Sequence, residues 1–152
     1  MNIDDLAKML GNKRTEMQNG SPSQRLLVDG SDHIGFMGEM LFALRYCLPM
    51  NLDPIPGGDP GYDFTMPLNF TVDIKTTKTL GNLLVEKGKV KADIYVMYYF
   101  DGKEYTPVGW EWGKVIENVP PKDFGKGVIN HFIRHDKLKP MSVLDKKAGI
   151  NK

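Results

Sequence analysis

Gly57-Gly58-Asp59-Pro60-Gly61-Tyr62-Asp63-Phe64, followed by Thr71-Val72-Asp73-Ile74-Lys75-Thr76-Thr77, is the stretch on which the reading of this chain turns. Side chains alternate along a strand, so Asp73 and Lys75 point one way while Val72 and Ile74 point the other. Pro67-Leu68-Asn69, between the two runs, has the composition of a turn. A three-residue loop centred on Leu68 makes a hairpin in which Asp63 lies directly opposite Asp73. Like charges facing each other across a strand pair destabilise it, and a cation between them removes the repulsion. A loop one residue longer would put Asp63 opposite Ile74 and spoil the arrangement.

Upstream, the pattern from Ser31 is helical. Ile34, Met37, Leu41, Leu44 and Leu48 recur at steps of three and four, with Ser31 or Asp32 as the cap. Phe36, Met40, Phe42, Ala43 and Cys47 make the remaining surface apolar too, which predicts a largely buried helix and a buried, inert thiol. Glu39 and Arg45 are its only charges between Ile34 and Leu48. Glu39 lies opposite the main apolar stripe, beside Ala43 and Tyr46, where it is either solvated or delivered as a carboxylate to a polar site. Before this helix, residues 2–19 suggest a short amphipathic helix and Gly20–Ser23 a loop; after it, Pro49 to Pro60 reads as loop.

Downstream, Leu83-Leu84-Val85 suggests a short strand and Glu86 to Lys89 a turn. Ala92 to Phe100 is almost unbroken apolar and aromatic, as expected of a strand covered on both faces. Asp101-Gly102 predicts a hairpin turn and Tyr105 to Trp112 the returning strand, with Pro107 placing it at an edge. A short helical segment is expected before Pro120-Pro121. The remainder, around Phe132-Ile133, suggests one short helix, with a flexible tail from about 140 to 152. This order predicts an α/β (α+β) domain spanning 1–152, a central mixed sheet flanked by helices.

The 152 residues, 41% hydrophobic and 26% charged, are those of an ordinary globular protein. No apolar run approaches the ~20 residues that span a bilayer, and the acidic start Met1–Asp5 has no apolar core of a secretory signal. With one cysteine, Cys47, the expectation is a reducing, cytoplasmic setting without a membrane. Residues 1–74 carry five Lys/Arg against ten Asp/Glu, and residues 75–152 carry fifteen against nine. An acidic cluster beside a basic segment suits a site that holds a cation and a polyanion together, although an ordinary mixed surface gives the same count.

Gly38-Glu39 on the helix, Asp63 after a Gly-rich loop, and Asp73-Ile74-Lys75 on the next strand resemble the PD-(D/E)XK nuclease superfamily over roughly Gly35 to Trp110. Tyr62 stands where the family's name has proline. The resemblance implies a restriction-endonuclease-like core of the small, phage-encoded kind. It implies that Asp63, Asp73 and the Ile74 carbonyl ligate Mg2+ or Mn2+, that Lys75 orients or activates the attacking water, and that Glu39 is an auxiliary acid that joins the metal ligands. Such a protein hydrolyses nucleic-acid phosphodiesters, with DNA expected over RNA, as a homodimer or with a protein partner. Lys78, Lys87, Lys89 and Lys91 follow the site and are candidates for phosphate contacts. The alternative is a catalytically silent nuclease-fold module that binds nucleic acid or a host or phage protein.

Other constellations carry less. His131 and His135 have the i, i+4 spacing of a helical metal pair, but no third ligand accompanies them. No Gly-Xaa-Ser-Xaa-Gly elbow is present, and Gly57-Gly58 lacks the Gly-Lys-Ser/Thr ending of a phosphate loop. Trp110 and Trp112 share a strand face, which core packing explains better than base stacking.

Overall fold

The computed structural model describes residues 31–50 and 61–149. The helix expected over 2–19, the Gly20–Ser23 loop and most of the loop up to Pro60 lie outside the described residues. The chain divides into two compact units, Met1–Pro60 and Gly61–Lys152.

In the first unit, α1 runs Ser31–Tyr46. Phe36, Met37, Met40, Phe42, Ala43 and Tyr46 are buried, as an apolar circumference requires, whereas Leu44 is exposed. Cys47 ends the helix in a left-handed conformation (φ 54), and the Leu48 N–H closes back on the Ala43 carbonyl at 2.8 Å. That position usually belongs to glycine. Because the helix stops one residue before it, Cys47 is exposed and not the buried thiol its apolar neighbours suggested.

The second unit holds two sheets. The first contains β1 (Phe64–Met66), β2 (Phe70–Thr77), β4 (Ile94–Phe100) and β5 (Tyr105–Trp112), in the order β1-β2-β4-β5. β1/β2 and β4/β5 are antiparallel hairpins, and β2/β4 is a parallel pair. The central sheet is therefore mixed, as expected. β4 is buried from Ile94 to Tyr98, matching its unbroken apolar sequence. Pro107 sits in the outer strand β5, where the pairing with β4 shifts register between Met97 and Tyr98.

The parallel connection from β2 to β4 does not use a helix. It runs through β3 (Asn82–Glu86), which leaves the first sheet and joins a second one, ordered β3-β7-β6, with β6 at Lys122–Asp123 and β7 at Ile129–Arg134. Leu83 and Val85 from β3 pack with Tyr95 and Met97 from β4, Ala92, and Ile116 from the short helix α2 (Gly113–Asn118). This cluster is the seam between the two sheets. Within the first sheet, β2 and β4 are also tied at their starts, where Asp93 Oδ2 accepts both the N–H and the hydroxyl of Thr71 at 2.9 and 3.1 Å.

Two expectations at the C-terminal end are corrected. Phe132-Ile133 belongs to strand β7 and not to a helix, because Ile129, His131 and Ile133 alternate with Asn130, Phe132 and Arg134 and pair with β3. His131 and His135 are therefore not one turn apart on a helix. His131 is buried, with Nδ1 2.7 Å from the Val119 carbonyl, while His135 opens a 3-10 turn. Residues 141–147 of the expected flexible tail form α3 (Met141–Lys147), anchored by buried Met141 and Leu144. Among the described residues no helix is long and apolar enough to cross a membrane.

The β4–β5 turn makes a pH-dependent contribution to stability. Asp101 Oδ1 accepts the N–H groups of Glu104 at 2.8 Å and Lys103 at 2.7 Å, and these bonds hold the carboxyl below its ordinary value. A depressed folded-state value means stabilisation that is present above the ordinary carboxyl range and lost as pH falls through the folded value. Asp101→Ala is thus expected to lower the melting temperature by a constant amount near neutrality. That gap should begin to narrow below about pH 4 and shrink further as pH falls through the folded value; a gap that stays constant from pH 7 down to about pH 2 would remove the ionised carboxylate from the turn.

Candidate functional site

The β1–β2 turn has the length on which the sequence argument depended. Met66 pairs with Phe70, leaving Pro67–Asn69 as a three-residue turn in 3-10 form. Regular pairing continues through Thr65 with Thr71 to Phe64 with Val72. At Asp63 the pattern changes. Its N–H donates to the Val72 carbonyl at 2.8 Å, and its Oδ2 accepts the Ile74 N–H at 2.7 Å. The carboxylate thus takes the ladder position that the next β1 residue would have filled, beside Asp73 along β2.

Asp73 and Lys75 share a face of β2, as the alternation predicted. Lys75 Nζ lies 2.9 Å from Asp73 Oδ2, with the aspartate side chain 9% exposed and the lysine side chain 45% exposed. Burial pushes the Lys75 ammonium down most strongly, but the charge and hydrogen bond of Asp73, then the charge of Asp63, outweigh it. The net result is a value above that of an ordinary lysine. Lys75 therefore carries its proton at neutral pH and acts as a donor. Ile74 is buried between the two. Because N–H and C=O of one strand residue point to the same side, its carbonyl faces the edge where Asp63 caps the N–H.

No family model, curated protein or solved structure matches the chain. The chemistry of the site is thus read from its own geometry.

Asp63, Asp73 and Lys75 come together within the second unit. Glu39 belongs to the first unit, where it is half-buried on α1. The four candidate lysines differ in setting. Lys78 and Lys87 are exposed, and Lys89 is paired to Glu86 at 2.9 Å. Lys91 instead lies across Gly61: a Cβ there would sit 2.8 Å from both Lys91 Cβ and Cδ, and Gly61 has φ +96. Glycine thus serves twice at this point, for the left-handed backbone and for the close approach of the lysine stem two residues before Asp63.

Tyr95 is the residue that sequence reasoning passed over. It stands opposite Asp73 in the parallel pairing, and its fully buried ring ends in a hydroxyl that accepts the N–H groups of Lys91 and Ala92 and donates to the Lys89 carbonyl. One side chain therefore fixes the 89–92 segment to β4, the strand paired with the one that carries Asp73. Its aromatic character in an apolar run signalled only burial, and the polar role emerges from register.

Among the described residues no group of three or more His, Cys, Asp and Glu side chains gathers in a way that could hold a metal. Asp63, Asp73 and the Ile74 carbonyl offer oxygen atoms alone, the donor type that hard divalent cations take.

Proposed function

We propose that this protein is a metal-dependent nuclease on a restriction-endonuclease-like core, hydrolysing nucleic-acid phosphodiesters, DNA in preference to RNA. The observation that carries the reading is the 2.9 Å contact between buried Asp73 and Lys75, with the Asp63 carboxylate on the intervening Ile74 amide. Burial of the Asp73 carboxylate has a desolvation cost that packing alone gives little reason to bear. A solvated surface pair would not need Asp73 to be 6% exposed.

Asp63, Asp73 and the Ile74 carbonyl are the groups that would hold Mg2+ or Mn2+. When bound, such an ion lowers the pKa of water and neutralises charge building on the phosphate. The chain's own residues supply position and proton control. Asp73 fixes the Lys75 ammonium on the strand face. Lys75, charged at neutral pH, offers N–H donors to a phosphate oxygen or to the attacking water and offsets developing negative charge. Asp63, held by its hydrogen bond to the Ile74 N–H, keeps the second carboxylate at the strand edge without needing the ion for its orientation. Lys91, carried over Gly61, adds a cation for the substrate backbone. The protein acts as a homodimer or with a protein partner when two strands are cut.

The test is incubation of the protein with single- and double-stranded DNA and RNA, with and without magnesium or manganese. Metal-dependent cleavage is expected, with DNA the better substrate. Either ion should also raise the melting temperature, by an amount equivalent to about 2.7 kcal/mol at a hundred times its dissociation constant, and Asp73→Asn should blunt that rise. Binding without cleavage under every metal condition, or no thermal response at millimolar manganese, would sink the reading.

A further inference from the structure

Leu68 is the most exposed of the large apolar side chains among the described residues, at 79%. It also holds a left-handed backbone (φ 70, ψ 17), and Asn69 follows it at φ 64. Asparagine tolerates that region; a leucine does not, and glycine would occupy it with less strain. Exposure and backbone strain therefore both count against leucine at this point, and a side chain so exposed has too little packing to offset them. Strain combined with an exposed apolar side chain points to a role outside the fold.

The tip is rigid. Pro67 fixes its own φ, Met66 and Phe70 close the ladder beneath it, and the Phe70 ring meets Trp112 edge-on at 5.4 Å. The Lys147 ammonium of α3 lies 5.2 Å from the same Trp112 ring. A leucine is thus presented on a stiff hairpin with a cation at its base. The other exposed residues of the tip, Thr65, Pro67 and Asn69, add no second large apolar side chain. The tip is a point and not a patch, which suits insertion at one base step better than a lipid or protein surface.

Leu68 is five residues from both Asp63 and Asp73 along the two arms of one hairpin. Asp63 and Asp73 lie three residues below the Met66–Phe70 closure of the turn, about 10 Å at the rise of a strand; the turn adds a few ångströms, which sets the tip roughly four base steps of duplex away. We propose that Leu68 is a wedge that enters between stacked base pairs of duplex DNA, about four steps from the phosphodiester held at Asp63 and Asp73, with Lys147 against a neighbouring phosphate. Apolar side chains that enter a base step unstack it and bend the duplex. The inference rests on the nuclease reading and gives it a substrate form: duplex in preference to single strand.

The experiment compares wild type, Leu68→Gly and Leu68→Asn for melting temperature and for cleavage of a duplex and of its single strand. A parallel set of duplexes carries 2-aminopurine at successive steps from the cut. The wedge predicts an unchanged or higher melting temperature in both variants, because strain is relieved and no buried contact is lost. It predicts duplex cleavage reduced by about tenfold or more, single-strand cleavage within about twofold of wild type, and 2-aminopurine brightening about four steps from the cut with wild type only. Equal duplex cleavage by all three proteins overturns the wedge alone, as does a lowered melting temperature in both variants. Failure of wild type to cut either substrate overturns the nuclease reading, and the wedge with it.

Discussion

Asp73→Asn is expected to lower metal-dependent cleavage by about 10³-fold, equivalent to about 4 kcal/mol of transition-state stabilisation, while the protein stays folded. The substitution keeps the shape of the side chain and removes its charge. On the proposed reading two functions would go together: an oxygen donor for the cation and the anchor that sets Lys75 at 2.9 Å. Folding suffers less, because the Lys75 side chain is 45% exposed and its ammonium can turn to water; a loss of no more than about 2 kcal/mol is expected. Asp63 needs the same choice of variant. Asp63→Asn keeps an acceptor for the Ile74 N–H and tests the charge, whereas Asp63→Ala also leaves that amide without its partner. Parallel rate and melting measurements decide the matter. Cleavage by Asp73→Asn within tenfold of wild type would remove Asp73 from the reaction.

Gly113→Ala is expected to be the most damaging single methyl in the second unit. Gly113 opens α2, its N–H donates to the Asp93 carbonyl at 2.7 Å, and a Cβ would run into the backbone carbonyl of Ala92. Backbone cannot rotate aside as a side-chain tip can. The helix start would have to move off the β4 entry, dragging Ile116 out of the seam it shares with Tyr95 and Met97. Overpacking of this kind costs about 2–3 kcal/mol or more, a fall in melting temperature of order 10 °C or greater. Gly35→Ala is the matched control. It lies inside α1 with open space where a Cβ would stand, and alanine there should stabilise by up to about 1 kcal/mol. Equal melting temperatures for Gly113→Ala and wild type would show that α2 can shift freely.

The parts legible in the sequence are those encoded by neighbours in the chain. Period-two alternation placed Asp73 and Lys75 on one face, the Pro67–Asn69 turn set the hairpin, Asp101-Gly102 joined β4 to β5, and the apolar run through Tyr95 and Val96 predicted a strand buried on both sides. What stayed hidden depends on distant pairings. β7 mixes polar and aromatic residues, and only its ladder with β3 makes it a strand. α3 has two buried anchors, Met141 and Leu144, too few to announce a helix. At the site, the direction of Lys75 was legible, but the hydrogen bond from the Ile74 N–H to Asp63 was not. It exists because β1 stops at Phe64, and where a strand stops is fixed by its partners.

The register shift at Pro107 and the bridge between Trp110 and Lys139 have a bearing on how copies of this chain behave in a crowded solution. An outermost strand offers its free amides and carbonyls as a template on which another molecule can build a continuous sheet. Here proline removes one donor from β5, the irregular pairing bends the strand beside it, and Trp110 has both its N–H and its C=O taken by Lys139, at 3.0 and 2.9 Å. The longest uninterrupted row of free backbone groups on that side is therefore shorter than β5 itself. The segment leading into α3 thus guards against strand addition between molecules as well as closing the fold.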